Sequence, residues 1–328
     1  MKYILFLSIL CQPFLLAQHT FSIVAIDPIT GEIGSAGATC GDNITWPGTP
    51  GAALISDIIP GKGAIHTQSY WNNTNQNNAH LQLLNDANSQ EIIDWLILND
   101  AEGNASIRQY GVVTNIDNTL TSAAFTGSNC FDYKNHLVGD NYSIQGNILL
   151  GQSILDSMES RFVNTDGSLA EKLMASLQGA KVIGADTRCI EENVSSLSAF
   201  LRVAKENDNS NELYLDIIVP STPDQLDPID SVQTLYNTWQ NTLKITEIEN
   251  HEFYIYPNPT NGELIIQNQN LHHSTVKLFA INGQKLLEIK PNQSKLSLQI
   301  EHLNPGLYLL SLSSENRETF TRKIVLKQ

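Results

Sequence analysis

The sequence predicts a layered α+β body followed by a small β-sandwich. Three observations carry that prediction. Segments of strand character and segments of helical spacing alternate in blocks: strands, two helices, strands, two helices, strands, one helix. From about Thr246 the helical spacing stops, and short strands recur between turns. Charge divides at the same place: residues 18–249 hold 28 Asp+Glu against 10 Lys+Arg, whereas residues 250–328 hold 6 against 8.

The 328-residue length fits roughly two domains at about 150 residues each. A 41% hydrophobic content is too high for a disordered chain. The net charge of −15 argues against a nucleic-acid partner, because a phosphate backbone needs cationic neutralisation. It suits a protein kept dispersed by self-repulsion.

Residues 1–17 read as a secretory signal peptide. Met1-Lys2 is a short positive start, Tyr3 to Leu16 is apolar apart from Ser8, Gln12 and Pro13, and Ala17 is a small residue before Gln18-His19. The alternative is a buried N-terminal strand or helix. Bulky Leu10 before Cys11 argues against a lipoprotein site. No later segment reaches the ~18 apolar residues of a membrane helix.

The body is expected over 18–243. Phe21 to Ile26 is rich in branched residues and reads as a strand, and the turn Asp27-Pro-Ile-Thr-Gly31 returns the chain into Glu32–Thr39. The small residues Gly34 to Ala38 on that second strand allow close approach of another backbone or a ligand. Strands are predicted at Ala52–Ile59 and Gly63–Thr67, and Asn72–Asn78 reads as an Asn-rich loop. Leu81–Leu84 and Ile92–Leu98 have helical spacing, the second with Ser89 as N-cap. Tyr110–Val113 and Thr121–Phe125 form a hairpin around Asp117-Asn118, and Tyr142–Ile144 is a short strand. Helices follow at Ile154–Phe162 and at Leu169–Leu177, the latter entered through Asp166-Gly-Ser168. Strands at Leu197–Val203 and Leu213–Val219 lead to an amphipathic helix at Pro228–Leu243. Residues 244–252 are the expected linker. The tail, 253–328, has short strands from Glu263 onward and a hairpin turn at Asn282-Gly283.

No phosphate-binding glycine loop and no GxSxG elbow occurs. Behind the signal peptide the chain keeps Cys40, Cys130 and Cys189, with no CxxC pair, so no zinc site is spelled out. The eight His residues show no metal-ligand spacing, and His272-His273 reads as a solvated turn. No metal or cofactor is expected. Outside the cytoplasm three cysteines give one disulfide and one free thiol. Cys130 and Cys189 both end small-residue loops and are the expected pair.

The tail carries Tyr256-Pro-Asn-Pro-Thr-Asn-Gly262, Val276-Lys-Leu-Phe-Ala-Ile-Asn-Gly-Gln284, Leu303-Asn-Pro-Gly-Leu-Tyr308 and Lys323-Ile-Val-Leu-Lys327. In order and spacing it resembles the C-terminal sorting domain of the type IX secretion system of Bacteroidetes-like bacteria. The resemblance implies export across the outer membrane, with the secretion machinery as partner and a secreted or cell-surface destination. The alternative is an ordinary carbohydrate-binding sandwich.

The body carries Thr20-Phe-Ser-Ile-Val-Ala-Ile-Asp27, Gly63-Ala-Ile-His-Thr-Gln68, Ala124-Phe-Thr-Gly127, Gln145-Gly-Asn-Ile-Leu149 and Gly184-Ala-Asp-Thr-Arg188. This order resembles the bacterial family called domain of unknown function 1028, grouped with the N-terminal nucleophile hydrolases. The resemblance implies a four-layer αββα sandwich and an amide-bond hydrolase whose substrate is a peptide, an acyl-amino acid or a cell-wall fragment. It makes Thr20 the candidate nucleophile, provided that Thr20 is the mature N-terminus. Only then is a free α-amine, of pKa about 7.7–8.0, present to take the hydroxyl proton. Cleavage after Ala17 would leave Gln18-His19 in front of it.

Further cleft candidates are His66, Thr67, Gln68, Gln145, Asn147, Asp186 and Arg188. Gln145 and Asn147 are suited to oxyanion or substrate contacts through their amides. Asp186 and Arg188 are suited to a carboxylate, or to pairing with each other. His66 is either a substitute for a missing strand carboxylate or Lys, or a packed, hydrogen-bonded residue. For the others the alternative is a turn or cap role. Tyr70-Trp71 offers either a sugar-stacking surface or a half-buried core edge. The competing function is a non-catalytic secreted binding protein on the same fold.

Overall fold

The computed structural model describes residues 17–18, 20–243, 254–268, 271–314 and 319–327. The predicted signal peptide, apart from Ala17, and the predicted linker lie outside the described residues. The chain forms two compact units, Met1–Asn241 and Thr242–Gln328.

The first unit is α+β, with the block order that the sequence predicts. Its elements are β1 (Ala17–Gln18), β2 (Thr20–Ile26), β3 (Ile33–Thr39), β4 (Ser56–Ile59), β5 (Gly63–Tyr70), α1 (Asn73–Leu84), α2 (Ser89–Leu98), β6 (Arg108–Ile116), β7 (Thr119–Thr126), β8 (Asn135–Val138), β9 (Tyr142–Gly146), α3 (Gln152–Asn164), α4 (Leu169–Ala180), β10 (Ser198–Ala204), β11 (Leu215–Val219) and α5 (Pro228–Leu243). The strands make two antiparallel sheets. One runs β1-β5-β6-β7, with β4 also paired to β5; the other runs β11-β10-β3-β2-β9-β8.

Strand alternation divides the core. Phe21, Ile23 and Ala25 of β2 pack with Leu155 and Met158 of α3, Leu173 and Leu177 of α4, and Val232 and Tyr236 of α5. The alternate residues Val24 and Ile26 meet Ala64 of β5 and Val113 of β6 in the other sheet. Ile65, Tyr110 and Val112 point the opposite way, onto Ala79 and Leu83 of α1 and Ile92 and Leu96 of α2. Each fully buried Leu, Ile, Val, Phe or Met among them contributes about 1.5–3 kcal/mol of apolar burial. The close approach foreseen at β3 is made by a helix: a Cβ on Gly34 would collide with Leu169 and Leu173 of α4.

Local chemistry sets the boundaries. At the β6–β7 turn Asp117 and Asn118 have φ of 51° and 60°, the left-handed pair that matches hairpin twist. Residue 72 opens a helix where the Asn-rich stretch reads as a loop: Asn72 Oδ1 accepts from the backbone N–H groups of Thr74 and Asn75. The cap of α2 is Asn88, in a capping box with Glu91. Ser89, expected there, instead donates to the carbonyl of Thr121 at 2.8 Å and ties α2 to β7. Gly51–Ile55 is a 3₁₀ turn and not a strand, because Gly51 has φ +62° and Ala52 N–H donates to Ser198 Oγ.

Two polar devices fasten the body. Arg108, 1% exposed, donates from Nε to Asp100 at 2.8 Å and from Nη2 to Glu102 at 2.6 Å, and also binds the Tyr70 carbonyl. Burial pushes the Asp100 carboxyl up, but the Arg108, Asn75 and backbone donors outweigh it and hold the group at about 2. The second device is a disulfide, and it corrects the expected pairing. Cys40, just past β3, joins Cys189 with Cα atoms 5.6 Å apart. Asp186 brings them together by accepting the Cys40 N–H at 2.9 Å. Cys130 is buried and free, its thiol donating to the Arg108 carbonyl.

The second unit holds a sheet of β12 (Tyr254–Tyr256), β13 (Glu263–Gln267) and β16 (Lys295–Gln299), and a sheet of β14 (Ser274–Ala280), β15 (Lys285–Ile289), β17 (Gly306–Ser314) and β18 (Thr319–Leu326). Leu264, Ile266 and Leu298 from the first share a core with Val276, Leu278, Leu310 and Ile324 from the second. The Asn282-Gly283 turn closes β14 onto β15 as expected, with Gly283 at φ +84°.

Arg108→Met is expected to destabilise the body by about 3–5 kcal/mol at pH 7, because it leaves Asp100 charged and buried. Asp100 titrates lower in the folded than in the unfolded chain, so its contribution is present above about pH 4 and is lost as pH falls towards 2. Denaturant melts of both proteins should therefore converge over that window. Cys189→Ala should cost about 2–5 kcal/mol. Non-reducing peptide mapping should find Cys40 linked to Cys189, and a Cys130–Cys189 peptide would contradict the structure.

Candidate functional site

The layer between the sheets is apolar around Val24 and Ile26 and polar towards Thr20. On β2 the inward positions are Thr20 and Ser22, on β3 Ser35, on β5 His66 and Gln68, on β6 Gln109, and on β9 Ser143 and Gln145. All are buried. Period-2 alternation puts them on the faces that look at each other.

They form one hydrogen-bonded seam. Gln145 Nε2 donates to Ser22 Oγ at 2.7 Å, and Ser22 Oγ donates to Gln68 Oε1 at 2.6 Å. Gln68 Nε2 reaches Gln109 Oε1 at 2.8 Å and the Thr20 carbonyl at 3.2 Å. Asn147 Nδ2 donates to Gln109 Oε1 at 2.8 Å, and its backbone N–H donates to the Thr20 carbonyl at 3.2 Å. Gln109 Nε2 closes the seam on Thr126 Oγ1 at 2.9 Å and on the Gly146 carbonyl at 2.9 Å. A Cβ at Gly111 would collide with the Gln145 carboxamide, so β6 leaves the room that this side chain fills.

His66 lies within this seam. Gln145 Nε2 donates to Nδ1 at 3.2 Å, which assigns the ring proton to Nε2, and Ser35 Oγ lies 2.5 Å from Nε2. Complete burial, reinforced by the positive charge of Arg202, pulls the imidazole down to about 3. It is therefore a neutral, packed residue, edge-on to Phe200 with ring centroids 5.8 Å apart.

Thr20 differs from its neighbours. It is fully buried, and its hydroxyl has no hydrogen-bond partner. Two backbone outliers flank it. Ser69 has φ 70° and follows Gln68; Ile148 has φ 54° and follows Asn147. Both therefore adjoin the two residues that bind the Thr20 carbonyl. A branched residue such as Ile148 rarely adopts a positive φ, and strain of this kind clusters at functional sites.

The remaining candidates divide. Thr67 is turned to the other face of β5 and bonds Gln76 of α1 at 3.3 Å, away from the seam. Asp186 is buried and held by Arg188 through Nε at 3.0 Å and Nη2 at 2.6 Å, so these two pair with each other. Arg188 Nη2 also donates to Thr39 Oγ1 at 3.2 Å, and Thr39 stands opposite Thr20 in the β2–β3 register. Tyr70 and Trp71 are half-buried, with the Trp71 indole bonded to Gln76. Ser22, Ser35, Gln109 and Ser143 belong to the seam and escaped the sequence reading. The alternation of Thr20 with Ser22 and of Ser143 with Gln145 marks one face of β2 and β9 without saying that it is interior, and β6 opens on Arg108-Gln109 with no alternation at all.

Residues 254–327 match the secretion system C-terminal sorting domain, so the protein is exported by the type IX system to the cell surface or the medium. The ulvan lyase NLR42 of Nonlabens ulvanivorans is 23% identical over 92 residues, covering 28% of this chain and 17% of that protein. The chain thus spans about a sixth of that relative's length. The crystal structure of protein SPO2555 from Silicibacter pomeroyi, of DUF1028, aligns over 67% of this chain and 88% of its own, with 24% identity and a TM-score of 0.54. PorZ, a surface component of the type IX system of Porphyromonas gingivalis, aligns over 40% of this chain and 21% of its own, with 9% identity and a TM-score of 0.21. Residues 20–229 match the family of unknown function DUF1028, and the chain belongs to that family.

Proposed function

We propose that the body is a four-layer αββα sandwich of N-terminal nucleophile type, and that the protein is an exported amidohydrolase acting on a peptide, an acyl-amino acid or a cell-wall fragment. The observation that carries this reading is the buried, unpartnered Thr20 hydroxyl at the head of β2. An unmade buried hydrogen bond costs about 1–3 kcal/mol, and a hydroxyl kept free for attack accounts for it. The packing of helices on the outer faces of two facing sheets supports the layer assignment.

The chemistry requires the chain to begin at Thr20. The α-amine then takes the Oγ1 proton while Oγ1 attacks the acyl carbon. As the amide C–N bond breaks, the amine passes that proton to the leaving nitrogen. Water cleaves the resulting Thr20 ester, releasing the acid and restoring the hydroxyl. Gln68 and Asn147 hold the Thr20 carbonyl and thereby fix the nucleophile's backbone.

A second reading is a secreted binding protein on the same fold. The neutral seam favours it: carboxamides, serines and an uncharged His66 supply no general base other than the α-amine.

N-terminal sequencing of the secreted protein should return Thr20 as the first residue. A start at Gln18 would exclude the nucleophile role. On a panel of peptides and muropeptides, Thr20→Ala should lower turnover by at least about 10³-fold with an unchanged Tm. Ligand-induced stabilisation that is equal in wild type and Thr20→Ala, without turnover in either, would instead establish the binding protein.

A further inference from the structure

Thr20 has a neighbour on each side in its sheet. On β3 it is Thr39, the residue directly opposite in register, so the two side chains share the inward face with Cβ atoms about 4.5–5.5 Å apart. On the other side it is Asn147, whose backbone N–H donates to the Thr20 carbonyl at 3.2 Å. One loop reaches both flanks: residues 184–190, on the way from α4 to β10. Arg188 of this loop donates to Thr39 Oγ1 at 3.2 Å. Thr187 binds the carbonyl of Ile148, the residue after Asn147, through its backbone N–H at 3.0 Å and through Oγ1 at 3.2 Å.

Ile148 is the branched residue with φ 54°, and such a conformation persists only where its surroundings over-determine it. The double contact from Thr187 is part of that hold. The loop is in turn fastened to the end of β3: Asp186 accepts the Cys40 N–H at 2.9 Å, and Cys189 is bonded to Cys40. Past Cys189 the chain turns to solvent at Ile190, Glu191 and Glu192. The backbone of Thr39, by contrast, is also held by β10. Its carbonyl accepts the Leu197 N–H at 2.9 Å, and Ser198 stands opposite it. The sheet therefore keeps its register whether or not the loop is fastened.

We propose that residues 184–190 are the positioning element of the Thr20 site and that the Cys40–Cys189 disulfide is its clasp, so that thiol–disulfide exchange switches turnover. This rests on the amidohydrolase reading and adds a regulation to that same site. With the bond closed, Thr187 keeps Ile148 in its left-handed conformation and so keeps Asn147 on the Thr20 carbonyl, while Arg188 fixes the Thr39 hydroxyl. With the bond open, the sheets stay and the loop lifts. Ile148 then relaxes, and the nucleophile loses its fixed orientation. A misplacement of about 1 Å at a reacting group costs about 10²-fold in rate. Thr187 and Arg188 act through their neighbours and are positioning residues. Cys40 is half-buried and Cys189 buried, which makes Cys40 the accessible half of the bond.

The test compares three forms of the secreted protein: oxidised, reduced by dithiothreitol, and Cys40→Ser/Cys189→Ser. In the reduction, dithiothreitol gives two protons and two electrons to the protein bond and closes to its own cyclic disulfide. Oxidised glutathione reverses the change and leaves as two glutathione thiols. On the peptide and muropeptide panel, the reduced form and the double variant should lose at least about tenfold in kcat, with KM within about twofold. Reoxidation should restore the reduced form. Amide hydrogen exchange should quicken at least about tenfold over 147–150 and 184–190 and stay unchanged over β10. Leu96→Ala, which loosens the distant α1–α2 layer, should lower Tm and leave kcat in place. Equal kcat in the oxidised and reduced forms would overturn the clasp. A kcat loss of the same size in Leu96→Ala, or faster exchange throughout the body, would also overturn it, because the bond would then be a general staple. No turnover in any form removes the hydrolase reading, and the exchange pattern then decides the clasp alone.

Discussion

The two sheets of the body meet through carboxamides, and that contact sets the rest. Gln68, Gln109 and Gln145 stand on three different strands, β5, β6 and β9, and each is bonded to a partner on another strand. A carboxamide presents two donors and an acceptor, and leaving them unmade in a dry interior is costly. Such a seam is satisfied in one alignment only. A one-residue slip of β2 would carry Ser22 into the layer of Leu155 and Leu173 and bring Phe21 against Gln68. Apolar packing alone would tolerate several alignments of the sheets, whereas the seam selects one. The Thr20 hydroxyl is conspicuous only against this background of paired groups.

Much of the fold was legible because periodicity reports which face a residue buries. The block order, the Asp117-Asn118 hairpin, α5 and the tail strands are read directly from spacing and turn chemistry. The misreadings have local causes. Asparagine composition suggests a loop over 72–78, yet one Asn side chain in the cap position starts α1. Ser89 is a good cap residue, but Asn88 precedes it with Glu91 correctly spaced for a capping box.

The site was legible in part. Thr20, Gln68, Gln145 and Asn147 lie in one seam although they stand far apart in the sequence, on β2, on β5 and at the end of β9. Thr67 fails because adjacent residues on a strand face opposite ways, so it cannot share a site with Gln68. The serines and Gln109 were missed because a small polar residue on a strand is identified as interior only by what stands across from it. That information is tertiary. The cysteine pairing was hidden for the same reason: small-residue loops flank Cys130 and Cys189 alike, whereas a carboxylate from Asp186 selects Cys40.

The disulfide has a consequence for biogenesis. The native bond joins Cys40 to Cys189 and skips Cys130. A chain emerging N-terminus first presents Cys40 and Cys130 together before Cys189 has appeared. The sequence of arrival therefore favours the wrong partner. What sets Cys130 apart is its place in the turn after β7, buried with its thiol on the Arg108 carbonyl of β6. Burial there withdraws the middle thiol from oxidation and leaves Cys40 to the partner 149 residues away.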